Sequence, residues 1–273
     1  MNTCPNTLPI GVFDSGVGGL TVLSALQQRL PGESFLYLGD TARVPYGTKT
    51  PQSVSRYALQ ATRHLVERGI KLLVTACNTA SSVALPALSA AYPHIPVVGV
   101  VEPGARACAA NSASGHVAVI ATESTINNQA YQQAIRNLRP QARIEARPAP
   151  LLVALAEEGW NTGPVVEAIA RSYLDPMFQA DSRPDCLVLG CTHFPVFAPA
   201  LAKILGPDVC IVDSAQTTAV EVADILAQRG LCANGDKGGT VFMATDGPER
   251  FARVGSLFMH QTLCCNDVEV VDL

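Results

Sequence analysis

Short apolar runs alternate along the chain with stretches in which apolar residues recur every three or four positions. The runs fall at 9–13, 35–38, 71–75, 97–101, 117–120, 144–146, 186–189, 209–212 and 241–244. They are too short for helices, and most are rich in Val, Ile and Leu, which predicts strands buried on both faces. The 3.6-residue pattern occupies 20–26, 52–68, 80–91, 128–137, 151–158, 165–178, 217–228 and 248–258. Strands alternating with helices predict an α/β fold with mainly parallel sheets flanked by helices.

The pattern restarts near residue 117. Asp14 at the first strand end is matched by Ala121, Cys77 by Cys191, and Glu102 by Asp213, at similar offsets. Even spacing in any α/β chain would give something similar, but the repeated cysteine favours two similar domains related by a pseudo-two-fold axis. Ligands of open parallel sheets bind beyond the carboxyl ends of strands. Two facing units would enclose a cleft there. The candidates at those ends are Asp14, Ser15, Cys77, Asn78, Thr79, Cys191, Thr192 and His193.

Composition narrows the classes. The 273 residues suit two domains, and 48% hydrophobic against 15% charged residues excludes a disordered chain. Net charge is −4 with no Lys/Arg cluster, so no nucleic-acid partner is expected. No uncharged apolar run reaches about 18 residues, so no membrane-spanning helix is expected. The first residues lack a basic n-region and a long apolar h-region, so a cytoplasmic protein is expected. The nine cysteines are odd in number, include no C-x-x-C pair and often lie in apolar runs. This reads as free thiols in a reducing compartment, with no metal site, since Cys191 and His193 have no second ligand pair at finger-like spacing.

Asp14–Gly19 follows a strand and opens a helix, but it lacks the third glycine of a dinucleotide turn and the lysine of a P-loop. A tight strand–helix turn and a small-anion site at the helix start both remain open. Asp14 would repel phosphate; it suits an ammonium group or a thiol whose proton it manages. A lone cysteine at a strand end is ordinarily packing. Cys77 instead has Asn78 and Thr79 beside it, and Cys191 has Thr192 and His193. Cys108, Cys186, Cys210, Cys232, Cys264 and Cys265 keep the packing explanation, and strand alternation points Cys186 away from the cleft. Glu157 and Glu158 read as a solvated helix face, and Tyr46-Gly47 as part of an aperiodic loop.

Two thiols with acids, and no phosphate loop, fit three chemistries. A dithiol redox centre ordinarily uses neighbouring cysteines. Acyl transfer needs one cysteine and leaves the second idle. Reversible proton transfer at one carbon needs a like base on each face, which two related units supply.

The segments F-D-S-G-V-G-G-L, L-G-D-T-A-R-V-P-Y-G, A-C-N-T-A-S, G-C-T-H-F-P and V-D-S-A together resemble the cofactor-independent glutamate racemases of the aspartate and glutamate racemase family. Aspartate racemases typically carry Glu at the position of His193 and lack the Asp-Ser-Gly-Val-Gly-Gly start. The resemblance implies that Cys77 abstracts the α-proton of D-glutamate with help from Asp14, and Cys191 that of L-glutamate with help from His193. Glu157 matches the acid of a family motif written here LVALAE, with Glu158 as its neighbour. Substrate contacts map to Asp14-Ser15, Tyr46-Gly47, Asn78-Thr79 and Thr192-His193. The resemblance further implies no cofactor, a homodimer, and D-glutamate destined for peptidoglycan. It implies one domain of residues 1–101 plus 214–273 and another of 102–213, with the site in the cleft between them. A related racemase or decarboxylase acting on another acidic substrate, and a non-catalytic binder of acidic ligands, are the alternatives.

Overall fold

The structure, a computed structural model, describes residues 5–179, 182–235, 237–259 and 261–273. Cys4 lies outside them. The chain runs β1 (Ile10–Asp14), α1 (Leu20–Arg29), β2 (Phe35–Gly39), α2 (Pro51–Glu67), β3 (Leu72–Thr75), α3 (Asn78–Ser81), α4 (Leu85–Ala91), β4 (Val97–Gly99) and α5 (Val101–Asn111). A second series follows: β5 (His116–Ala121), α6 (Glu123–Asn127), α7 (Ala130–Leu138), β6 (Arg143–Pro148), α8 (Pro150–Glu157), α9 (Pro164–Phe178), β7 (Cys186–Gly190), α10 (Ala198–Leu205), β8 (Cys210–Asp213) and α11 (Ser214–Arg229). Then come β9 (Thr240–Ala244), α12 (Pro248–Met259) and β10 (Val268–Val270).

One sheet has the order β10-β9-β2-β1-β3-β4 and the other β6-β5-β7-β8. Every pairing in both is parallel. Within each series the spatial order is second, first, third, fourth strand. The repeat inferred from strand spacing is thus a repeat of topology. Strands β9 and β10 extend the first sheet beyond β2. The central strands β1, β3, β5 and β7 are sandwiched between helices, which is why they read as unbroken apolar runs.

The helices after the fourth strands exchange partners. Helix α5 packs on α7, β7 and β8, while α11 packs on α1. Val101, Ala105 and Cys108 share a core with Val119 and Val188 on the second sheet and Tyr131 on α7. Ala219, Val222 and Leu226 share one with Leu23 and Leu26. Val222 and Leu226 are fully buried, each contributing about 1.5–3 kcal/mol. The exchanged helices touch each other and tie the two series together.

Several elements differ from the sequence expectation. The strand expected over 97–101 ends at Gly99, and α5 begins at Val101. Pro103 sits in its first turn, where a missing N–H is not needed. Glu102 therefore stands exposed on the first turn of a helix, not at a strand end, and the counterpart of Asp213 is the end of β4. The helix expected over 80–91 is two pieces: Cys77 caps the short α3, and Pro86 lies at the start of α4. The helix expected over 128–137 is α7, which starts after Gln129, whose φ is 54°; the short α6 before it was not expected. Helix α10 and strand β10 were not expected.

Candidate active site

Ser15 follows β1, Cys77, Asn78 and Thr79 follow β3, and Cys191, Thr192 and His193 follow β7. All seven border one cavity, together with Tyr46, Gly47, Thr122, Val153 and Glu157. The cavity leaves only about 30 Å³ for the centres of water molecules, room for one or two. Asp14 lies just behind the lining and is fully buried. The strand-end candidates from the two sheets therefore converge.

The glycines after β1 make this convergence possible. A Cβ on Gly18 would lie 2.4 Å from Thr192 Oγ1 and 2.5 Å from His193 Nδ1. One on Gly19 would lie 2.5 Å from Asp14 Cβ. Close approach, not an anion cradle, accounts for these two glycines. Gly47 plays the same part across the cleft, where a Cβ would lie 2.8 Å from Thr122 Cβ.

On the Cys77 side, the thiol donates to Ser15 Oγ at 3.5 Å and accepts the Ala80 N–H at 3.5 Å. Burial first, then the nearby Asp14 carboxylate, pushes this thiol up to about 12. Burial also raises Asp14 above the usual carboxylate range, partly offset by the charge of His193 and by backbone N–H groups. Asp14 Oδ2 accepts the Gly16 N–H at 2.9 Å, while Oδ1 has no protein partner.

The Cys191 side is built differently. His193 Nδ1 lies 3.8 Å from Cys191 Sγ, and Nε2 lies 3.2 Å from Glu157 Oε1. Burial pulls the imidazole down, but the hydrogen bonds to Cys191 and Glu157 prevail and hold it up to about 10. Held that high, the ring is an imidazolium at neutral pH and can donate from both nitrogens. Glu157 is held below the ordinary glutamate range, first by His193 and then by Arg250, whose Nη2 reaches Oε2 at 2.9 Å. Of the two neighbouring acids, Glu157 meets His193 while Glu158 is exposed.

Neutral donors fill the rest. Asn78 Nδ2 donates to Tyr131 Oη at 2.8 Å, and Asn78 Oδ1 has no protein partner. Thr79, Thr122 and Thr125 form a triangle of hydroxyls at 2.9–3.4 Å. The Tyr46 hydroxyl donates to buried Asp40, which also accepts from Arg43 at 2.7 Å and Thr245 at 3.0 Å. Asp40 thus moors the 40–48 loop over the cavity, and Tyr46 faces it with its hydroxyl already committed. Among the described residues, no group of three or more His, Cys, Asp or Glu is placed to hold a metal ion.

Thr122, Val153 and Arg250 were not expected at the site. Thr122 directly follows β5, so the strand-end rule could have found it. Val153 and Arg250 sit on helices and carry no signal of their own.

A sequence profile for the Asp/Glu/Hydantoin racemase family matches residues 10–222. The chain belongs to this family. Within it, glutamate racemase from Geobacter metallireducens is 50% identical over 253 residues, 92% of each chain. The crystal structure of a Bacillus anthracis glutamate racemase superposes with a TM-score of 0.92 at 35% identity, covering 98% of both chains. A Francisella tularensis glutamate racemase in complex with D-glutamate gives 0.90 at 34% identity, again covering 98% of both. Relatives of this family with α/β folds and parallel sheets thus share nearly the whole architecture. The matched family segment stops within α11, so α12, with Arg250, lies beyond it.

Proposed function

We propose that the chain interconverts L- and D-glutamate by proton transfer at Cα between two thiol bases, Cys191 and Cys77. One observation carries this reading: cysteines from equivalent strand ends of two repeated units border the same cavity. The named relatives support glutamate as the substrate. Cys191 Sγ, as thiolate, takes the Cα proton of L-glutamate, leaving a carbanion. Cys77 Sγ–H then protonates the opposite face and becomes the thiolate. The reverse reaction runs with the roles exchanged, so protons balance over a round trip.

The resting charges suit the L-to-D direction. Cys77 is a buried thiol, a proton donor, and Cys191 stands against an imidazolium. In the other direction Asp14, raised above an ordinary carboxylate, can take the Cys77 proton, and the substrate ammonium can offset the charge left behind. Glu157 keeps His193 charged. Ser15, Asn78, Thr79 and Thr192, with the Tyr46-Gly47 backbone, would hold the substrate's carboxylates and ammonium. A positioned base supplies about 10²–10⁴-fold; the rest must come from a dry site preorganised for the carbanion.

The partner exchange of α5 and α11 supports domains of 1–101 plus 214–273 and 102–213. We place the enzyme in the cytoplasm as a homodimer, supplying D-glutamate for peptidoglycan. The test is racemisation in D₂O. Deuterium should enter the product enantiomer before it enters recovered substrate, and Cys77→Ala and Cys191→Ala should each abolish turnover. Equal early labelling of both enantiomers, or activity in either variant, would overturn the two-base reading.

A further inference from the structure

Helix α12 reaches the Cys191 side of the site from the C-terminal segment, outside the family-matched residues. It makes two contacts there. Phe258 packs edge-on against the His193 ring, with centroids 5.4 Å apart and planes at 84°. Two helical turns earlier, Arg250 binds Glu157 Oε2 at 2.9 Å, with Glu158 Oε1 further off at 3.8 Å. The two oxygens of Glu157 are thus divided between His193 and Arg250.

That division matters because Glu157 stands at the mouth of the site. It borders the cavity of the two cysteines and also two more open pockets, one of which Arg250 lines. Its side chain is one-fifth exposed. An exposed ion pair contributes little to stability. Here the guanidinium holds Oε2 on the side facing the open pockets while Oε1 meets His193 Nε2.

We propose that Arg250 is a positioning residue for the proposed proton transfer, anchoring Glu157 so that His193 remains an imidazolium beside Cys191. The proposal rests on the glutamate-racemase reading and on the Cys191–His193–Glu157 chain within it. The charged and titratable groups facing His193 are Cys191, Glu157 and, through space, Asp14. Those facing Glu157 are His193 and Arg250.

The two ways Arg250 could act have opposite signs. If it contributed only charge, its removal would favour the imidazolium and move the alkaline limb of the pH profile upward. If it positions Glu157, its removal costs His193 a partner and moves that limb downward.

The experiment is kcat and KM for both enantiomers against pH, using the full-length enzyme and the variants R250A, R250K, E157Q and R253A. Arg253 is an exposed arginine on the same helix, so R253A controls for lost charge and should behave as the parent. R250A should lower kcat about tenfold, a fraction of what general acid–base catalysis supplies. It should leave KM within about threefold and move the alkaline limb about one pH unit lower. R250K, which keeps a single donor to Oε2, should recover most of both. A limb that is unmoved or moved upward in R250A, or R250K no better than R250A, overturns the proposal. If E157Q shifts the limb while R250A does not, only the role of Arg250 fails. If E157Q is also unmoved, the His193–Glu157 chain fails with it, and a parent enzyme that does not racemise glutamate sinks the functional reading itself.

Discussion

Cys77 and Cys191 share a residue type and a strand-end position, yet their surroundings are opposite. Cys77 is buried beside a carboxyl group and a serine hydroxyl; Cys191 is beside an imidazolium supported by an acid. Like bases in unlike settings can hold one proton between them, as a two-base reaction needs. His193, held near 10, should give kcat/KM an alkaline limb near that pH, and His193→Asn should remove the limb along with most activity. A steady-state pH profile of both enzymes checks this. Gly18 is equally specific. Gly18→Ala places a methyl against Thr192 and His193, which should cost about 1–3 kcal/mol by overpacking and impair turnover more than stability. Chemical unfolding and kinetics on the same preparation would separate the two effects.

At the scale of elements, the strand is what delivers function here. Each of β1, β3 and β7 ends on or just before a candidate, because side chains beyond the last ladder bond leave the sheet and enter the cleft. The 40–48 loop has no periodicity and is organised by one buried carboxylate. Asp40 accepts from Tyr46, Arg43 and Thr245, joining the loop to the end of β9. Asp40→Ala strands those donors and should destabilise the fold by about 3–5 kcal/mol, as for other broken buried pairs. Asp40→Asn keeps the size but loses the charge, and should chiefly raise KM by loosening the cover of the cavity. Thermal melts and substrate saturation curves would show whether the two variants divide in this way.

Across the whole molecule, the ends of the strands far from the site carry a second buried charge pair. Lys71 Nζ lies 2.5 Å from Glu33 and donates to the Asn6 and Leu231 carbonyls, while Glu33 accepts the Ala233 N–H. Lys71→Met should cost about 3–5 kcal/mol by leaving Glu33 unpaired, with little change in turnover per folded molecule. Lys71→Met with Glu33→Leu should recover much of it, as denaturant titration would show. Stability should also depend on pH with a definite sign. His193 and Cys77 both titrate above their unfolded values. The stability they contribute is therefore fully present below the unfolded values and lost as pH rises toward about 10 for His193 and about 12 for Cys77. Glu157, depressed, works the other way, and its share is lost in acid. The melting temperature should fall between neutral pH and pH 10, less steeply in His193→Asn.

Apolar runs and 3.6-residue periodicity determined the strand–helix alternation, the parallel sheets and the repeat, because burial on both faces of a strand leaves its mark on every residue of it. The same logic placed Asp14, Cys77 and Cys191 at strand ends. Boundaries near proline and glycine were less legible: Pro103 and Gly104 looked like a strand's end and lie inside α5, since a helix tolerates proline in its first turn. The exchange of α5 and α11 between units left no local trace, because an amphipathic helix shows that it has a buried face but not which sheet covers it. Arg250 joined the site for the same reason: an exposed arginine looks ordinary in sequence, and only packing α12 against the cleft brought it to His193's acid.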